Sequence, residues 1–245
     1  MNDWKSNFTE ENGLFYGEEV QSKFEELYLQ IREKENRLLE DQLVVQLPYL
    51  PSNHVLAAEW KRRLPTLERF VNYLKTSPFK RVLEIGCGNG WFSNQVKMHV
   101  KEVVAQDINE QELKQASRVF QDPNLTFVLT DDVLRLAESY NPDLIVFNAS
   151  LQYFDPQKNI LNELKSILTD VEIHVLDSPI YANKKESEAA KLRSDLYYEK
   201  MNTKELSNYY FHWTEEDISE VEFLWRPSLW TKYVKKDSPF SWVKK

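Results

Sequence analysis

The stretch RVLEIGCGNGWF, Arg81 to Phe92, holds three of the chain's five glycines within five residues. Val82, Leu83 and Ile85 form a short apolar run of the kind that builds a fully buried parallel strand. After Gly90, residues Trp91, Phe92 and Val96 take up helical spacing. The glycines therefore fall at a strand-to-helix turn. Glycine accepts positive φ and lets a backbone or a ligand approach closely, and the helix that follows aims its free N–H groups at the same place. On the glycines alone, a tight turn in any α/β domain explains the pattern as well as a nucleotide site does.

Working outward, the pattern repeats. Apolar strands are expected at 82–85, 102–106, 125–130, 143–147 and 171–176, with amphipathic helices at 91–99, 110–120, 133–139 and 159–168. Strands separated by helices of this length imply right-handed crossovers and a parallel sheet covered on both faces. Ahead of this core lie a charged helical stretch that stops near Pro48 and a second helix over about 53–74, broken or kinked at Pro65. Beyond it, 178–218 reads as a long helix plus a second helical piece. The last residues have strand composition interrupted by Pro227 and Pro239, which predicts antiparallel edge strands. The expected division is a helical extension or cap over 1–78 and an α/β domain over 79–245 with a helical insertion at about 178–218.

Length and composition set the outer bounds. A chain of 245 residues, 42% hydrophobic and 13% aromatic, can bury a substantial core. Its formal net charge of −8 argues against a broad phosphate-binding face, and so against nucleic acid as a partner. The single cysteine, Cys87, excludes an internal disulfide, and no His/Cys cluster has the spacing of a zinc site, so no metal is expected. The N-terminus is polar and acidic, and no stretch is long enough to span a bilayer. A soluble, cytoplasmic protein is expected, with a homodimer left open.

The glycine spacing selects among nucleotide sites. A dinucleotide fingerprint would place its third glycine at position 91, where the chain has Trp91. Here Gly86, Gly88 and Gly90 follow Glu84, and a carboxylate beside the turn suits an ammonium group better than a pyrophosphate. Asp107 ends the second strand 21 residues after Gly86, where an acid can accept from both ribose hydroxyls. The third strand ends at Asp131 and Asp132, either of which could meet an adenine amino group, with backbone N–H groups beside them.

These residues together resemble the class I S-adenosylmethionine-dependent methyltransferases, over roughly Lys80 to Leu176. The resemblance implies a Rossmann-like fold: a mostly parallel seven-stranded sheet with helices on both faces. It implies S-adenosylmethionine as cofactor and S-adenosylhomocysteine as product. It places Glu84 and the turn Gly86-Cys87-Gly88 by the methionine moiety, Asp107 on the ribose and Ile108 against the adenine. Asp131, Asp132 and Val133 then surround the adenine edge, and the Asn148 carbonyl meets the methionine amine. Each residue also has a purely structural explanation: Glu84 could pair with a lysine, and Asp107, Asp131 and Asp132 could cap helices. Their occurrence at successive strand ends, in order, favours a ligand edge.

Methyl transfer from a sulfonium is a direct displacement, so no catalytic triad or metal is needed. The chain reads NASL after the fourth strand, without the Asn/Asp-Pro-Pro-aromatic motif of base-amino methylases, and Cys87 lies in the glycine turn rather than where a C5-pyrimidine nucleophile would be. A small-molecule acceptor is expected. Its pocket would draw on Gln152 and Tyr153 and, from the insertion, Tyr181, Arg193, Tyr197 and Tyr209, with Tyr198 and Tyr210 nearby; Arg193 could hold a carboxylate. Most of these tyrosines are expected to be the insertion's packing face. His212 is the candidate general base. A methyltransferase-fold protein that binds cofactor without turnover is the alternative.

Overall fold

The computed structural model describes residues 4–17, 22–228 and 237–245. A hairpin of β1 (Thr9–Glu11) and β2 (Leu14–Tyr16) precedes three helices: α1 (Ser22–Lys34), α2 (Asp41–Val44) and α3 (Ala57–Lys75). The repeating core follows as β3 (Arg81–Ile85), α4 (Trp91–Val96), β4 (Glu102–Asp107), α5 (Glu110–Val119) and β5 (Leu125–Leu129). It continues through α6 (Val133–Tyr140), β6 (Leu144–Asn148), α7 (Ile160–Ile167) and β7 (Glu172–Leu176). The insertion holds β8 (Ile180–Tyr181), α8 (Lys184–Lys200), a 3-10 turn over Lys204–Tyr209 and β9 (Trp213–Thr214); β10 (Glu222–Trp225) and β11 (Trp242–Lys244) end the chain.

The apolar runs predicted from sequence become the parallel strands β5, β4, β3, β6 and β7, hydrogen-bonded in that spatial order. The chain builds outward from β3 through β4 to β5, then returns to the other side of β3 as β6. That reversal opens a crevice at the carboxyl ends of the strands. β11 runs antiparallel between β7 and β10, so among the described residues β10 is the edge strand there. These seven strands form the Rossmann-like sheet.

Two further strands enlarge it to nine, because β2 pairs in parallel with β5 and carries β1 outside it. The extension expected to be helical therefore begins with strands. Each has three residues, too few for a period to register, and β2 is held by Leu14 opposite Phe127, a contact 113 residues away in the chain. The first long helix ends at Lys34, since Asn36 turns the chain with φ of 56°. The second begins at Ala57 and carries Pro65 inside it. α4 stops at Val96, and Lys97–His99 form a 3-10 turn.

Apolar side chains from α3, α4 and α5, among them Phe70, Phe92 and Leu113, fill one face of the sheet. Leu136, Tyr140 and Leu164 from α6 and α7 fill the other. Among the described residues no helix is long and apolar enough to cross a membrane.

Candidate active site

The glycine turn is shaped first by the protein's own packing. A Cβ on Gly86 would lie 2.4 Å from Ser150 Cβ, and one on Gly90 would lie 2.6 Å from the Phe127 ring. Both take positive φ, 76° and 73°, so a side chain is barred by conformation and by space. Gly88 also takes positive φ, 54°, with Glu112 Oε2 3.1 Å from its Cβ position.

Above this turn lies a cavity of about 830 Å³, within the ~300–1,000 Å³ of small-molecule sites. Its floor is the row of strand ends. Gly86, Cys87 and Gly88 follow β3; Asp107 ends β4 and Ile108 follows it; Asp131 and Val133 follow β5; Asn148 ends β6. Asp107 is locked in place: its Oδ2 accepts from Gly88 N at 2.7 Å, and its Oδ1 accepts from Ile108 N at 2.7 Å and Asn109 N at 2.9 Å. Burial still raises its pKa, partly offset by those N–H groups.

Four predicted residues do not line the cavity. Glu84 is buried one layer beneath the floor, where it accepts from Ser93 Oγ and pairs with the Asn148 side chain; burial raises its pKa to about 8. Asp132 caps α6, accepting from Arg135 N at 3.0 Å, which leaves Asp131 at the rim. Tyr209 packs edge-on against Phe24, their centroids 5.4 Å apart. His212 stands behind the wall, its Nε2 3.0 Å from the Oγ of Ser194, which does line the cavity. Burial lowers the pKa of His212, and Lys191 adds to the effect.

Gln152, Tyr153, Tyr181, Arg193 and Tyr197 all line the same cavity. Tyr198 and Tyr210 line the cavity too, and with Phe24, Ile31 and Leu206 they form an aromatic cluster that joins α1 to the insertion. Two wall acceptors, Asn148 Oδ1 and Gln152 Oε1, are buried with no hydrogen-bond partner.

The sequence reading did not single out Arg32 and Tyr28 on α1, Trp60 and Arg63 on α3, or Glu112 on α5, all of which line the cavity. Each sits in a charged helical run that reads as a solvated face. Arg32 lies over the Tyr28 ring at 5.5 Å and meets Glu112 at 3.6 Å.

Residues 82–170 match the family model of the methyltransferase domain. The chain is 34% identical over 115 residues to malonyl-[acyl-carrier protein] O-methyltransferase 1 of Ilyobacter polytropus, a match that spans 44% of this chain and 40% of that relative. Among solved structures it resembles magnesium protoporphyrin IX methyltransferase from Synechocystis PCC 6803 with bound S-adenosylhomocysteine. The TM-score is 0.53 at 13% identity, over 90% of this chain and 97% of the other, a likeness of fold alone.

Proposed function

We propose, from the premise that residues 82–170 of this chain form a class I S-adenosylmethionine-dependent methyltransferase domain, that the protein binds S-adenosylmethionine in the cavity and methylates a small-molecule acceptor at oxygen, nitrogen or carbon. One observation carries the reading: Asn148 Oδ1, at the end of β6, is a buried acceptor without a donor, and its side chain also touches Glu84. A buried acceptor left open is costly, and the cofactor's ammonium supplies what it lacks.

In this reading Asn148, backed by Glu84, holds the amino-acid end. Asp107, fixed by three backbone N–H groups, accepts from the ribose, while Ile108 and Val133 enclose the adenine and Asp131 accepts from its amino group. The bound cofactor supplies an activated methyl group together with its leaving group. The chain's remaining task is to align the acceptor and exclude water, which falls to Gln152, Tyr153, Tyr181, Arg193 and Tyr197. For an acceptor that must lose a proton, His212 receives it through Ser194.

Titration calorimetry with S-adenosylmethionine and S-adenosylhomocysteine, with NADH as control, tests the reading. One-site binding of both adenosyl ligands, weakened at least about tenfold by Asp107→Ala and absent for NADH, is expected. No adenosyl binding would overturn it. Binding without consumption of methyl-labelled cofactor across a panel of acceptors would favour the cofactor-binding protein without turnover.

A further inference from the structure

Arg63 is a cation in the cavity wall that lacks a carboxylate of its own. It projects from α3 with its guanidinium 5.0 Å from the Trp60 ring centroid, and its side chain is 22% exposed. Its ion-pair partner, Glu59, is already engaged, because the Arg37 fork donates to both Glu59 oxygens at 2.8 and 2.7 Å. Arg63 Nη2 reaches Oε1 only at 3.3 Å, and Arg63 Nε is buried without a partner.

Asp177, just past β7, feels the Arg63 charge but takes its hydrogen bonds from Thr66 Oγ1 at 3.0 Å and from Ser238. Arg32 also has a buried, unpartnered Nε, but Glu112 faces its guanidinium. Arg63 thus shares its one ion-paired acid with Arg37, which holds both Glu59 oxygens and pairs with Glu35 at 3.0 Å as well. A guanidinium presents a planar fork of donors that matches a carboxylate, and a buried donor left open is costly.

We propose that Arg63 is the carboxylate receptor of this cavity. The inference rests on the reading of the cavity as a ligand site given above. Two ligands carry the required group. Trp60, beside Arg63, packs edge-on against Trp91 at 5.2 Å, the residue that follows the glycine turn, so the cofactor's α-carboxylate is one source. Asp177, which feels the Arg63 charge, opens the loop to Tyr181 on the acceptor side, so a carboxylate on the acceptor is the other.

The experiment compares wild type with Arg63→Gln and Arg63→Lys, each checked for folding by thermal melting. Each is titrated with S-adenosylhomocysteine, with 5′-methylthioadenosine, which lacks the amino-acid end, and with phenylacetate on protein saturated with S-adenosylhomocysteine. If the cofactor brings the carboxylate, Arg63→Gln weakens S-adenosylhomocysteine at least about tenfold and leaves 5′-methylthioadenosine unchanged. If the acceptor brings it, both adenosyl ligands bind as before and phenylacetate is lost. Arg63→Lys, which keeps the charge without the fork, falls between, and it carries the test should Arg63→Gln not fold. Unchanged binding of S-adenosylhomocysteine and phenylacetate overturns the proposal, whether phenylacetate binds all proteins alike or none. Failure of wild type to bind any adenosyl ligand would instead count against the methyltransferase reading, and phenylacetate titrated alone would then decide Arg63.

Discussion

Glu84 is a carboxyl that the fold removes from water while giving it neutral partners, Ser93 and Asn148. Burial holds its pKa near 8, so the folded chain keeps a proton that the unfolded chain releases above about 4.5. Such a group contributes stability that is fully present at low pH and is lost as the pH climbs from about 4.5 to about 8, on the order of a few kcal/mol in all. Glu84→Gln, which mimics the protonated form, should therefore fold normally at pH 7 and show a shallower loss of melting temperature between pH 6 and 8.5 than wild type. An equally steep loss would mean that Glu84 is ionised in the folded chain. The position of Glu84 before the glycines was legible in the sequence. Its place beneath the floor was not, because that depends on Ser93 and Asn148 arriving from α4 and β6. The glycines were legible as a turn, yet Gly86 and Gly90 answer to Ser150 and Phe127 rather than to a ligand.

At the scale of elements, α1 and the insertion roof part of the cavity and pack in a cluster apart from the sheet's two cores. Phe24, Tyr28 and Ile31 of α1 meet Tyr153, Tyr198, Leu206, Tyr209 and Tyr210 in a small third cluster. Phe24 alone makes three aromatic contacts, to Tyr28, Tyr153 and Tyr209, at 5.4–5.6 Å. Elements tied by few buried contacts open with a lower free energy than core strands. Phe24→Ala should thus speed amide exchange across α1 and the Lys204–Tyr209 turn, while β3 to β6 exchange as before. The same substitution at Phe147, buried between β6 and its covering helices, should cost about 3–5 kcal/mol of global stability. Uniform acceleration across the chain in Phe24→Ala would show that the roof unfolds only with the whole. The strands and helices from Arg81 to Leu176 were legible because each buries a face whose period shows within a few residues. The roof was not, since Arg32 and Arg63 turn inward from helices whose charge pattern is that of a solvated surface.

Across the whole molecule, two sets of buried titrating groups oppose each other. Glu84, Asp107, Glu112 and Asp177 all lie in or beneath the cavity, and burial raises the pKa of each. They draw stability away as the pH rises. His174 lies outside the cavity, between α3 and β11, where its Nδ1 accepts from Trp242 Nε1 at 2.8 Å and its Nε2 meets Glu172 at 2.6 Å. Burial lowers its pKa, so the unfolded chain takes up a proton below about 6.5 that the folded chain resists, and stability is lost as the pH falls. The empty protein should therefore melt lower on both sides of neutrality. In the proposed binding mode S-adenosylhomocysteine sets its ammonium on Asn148, backed by Glu84, and its ribose hydroxyls on Asp107, away from His174, so it should flatten the alkaline limb and leave the acid limb parallel to that of the empty protein. Its shift in melting temperature should accordingly be larger at pH 8.5 than at pH 6. Melts from pH 5 to pH 9 with and without the ligand read both limbs at once. If the ligand flattened the acid limb instead, the proton-linked groups it touches would not be the acids at the ends of β3 and β4.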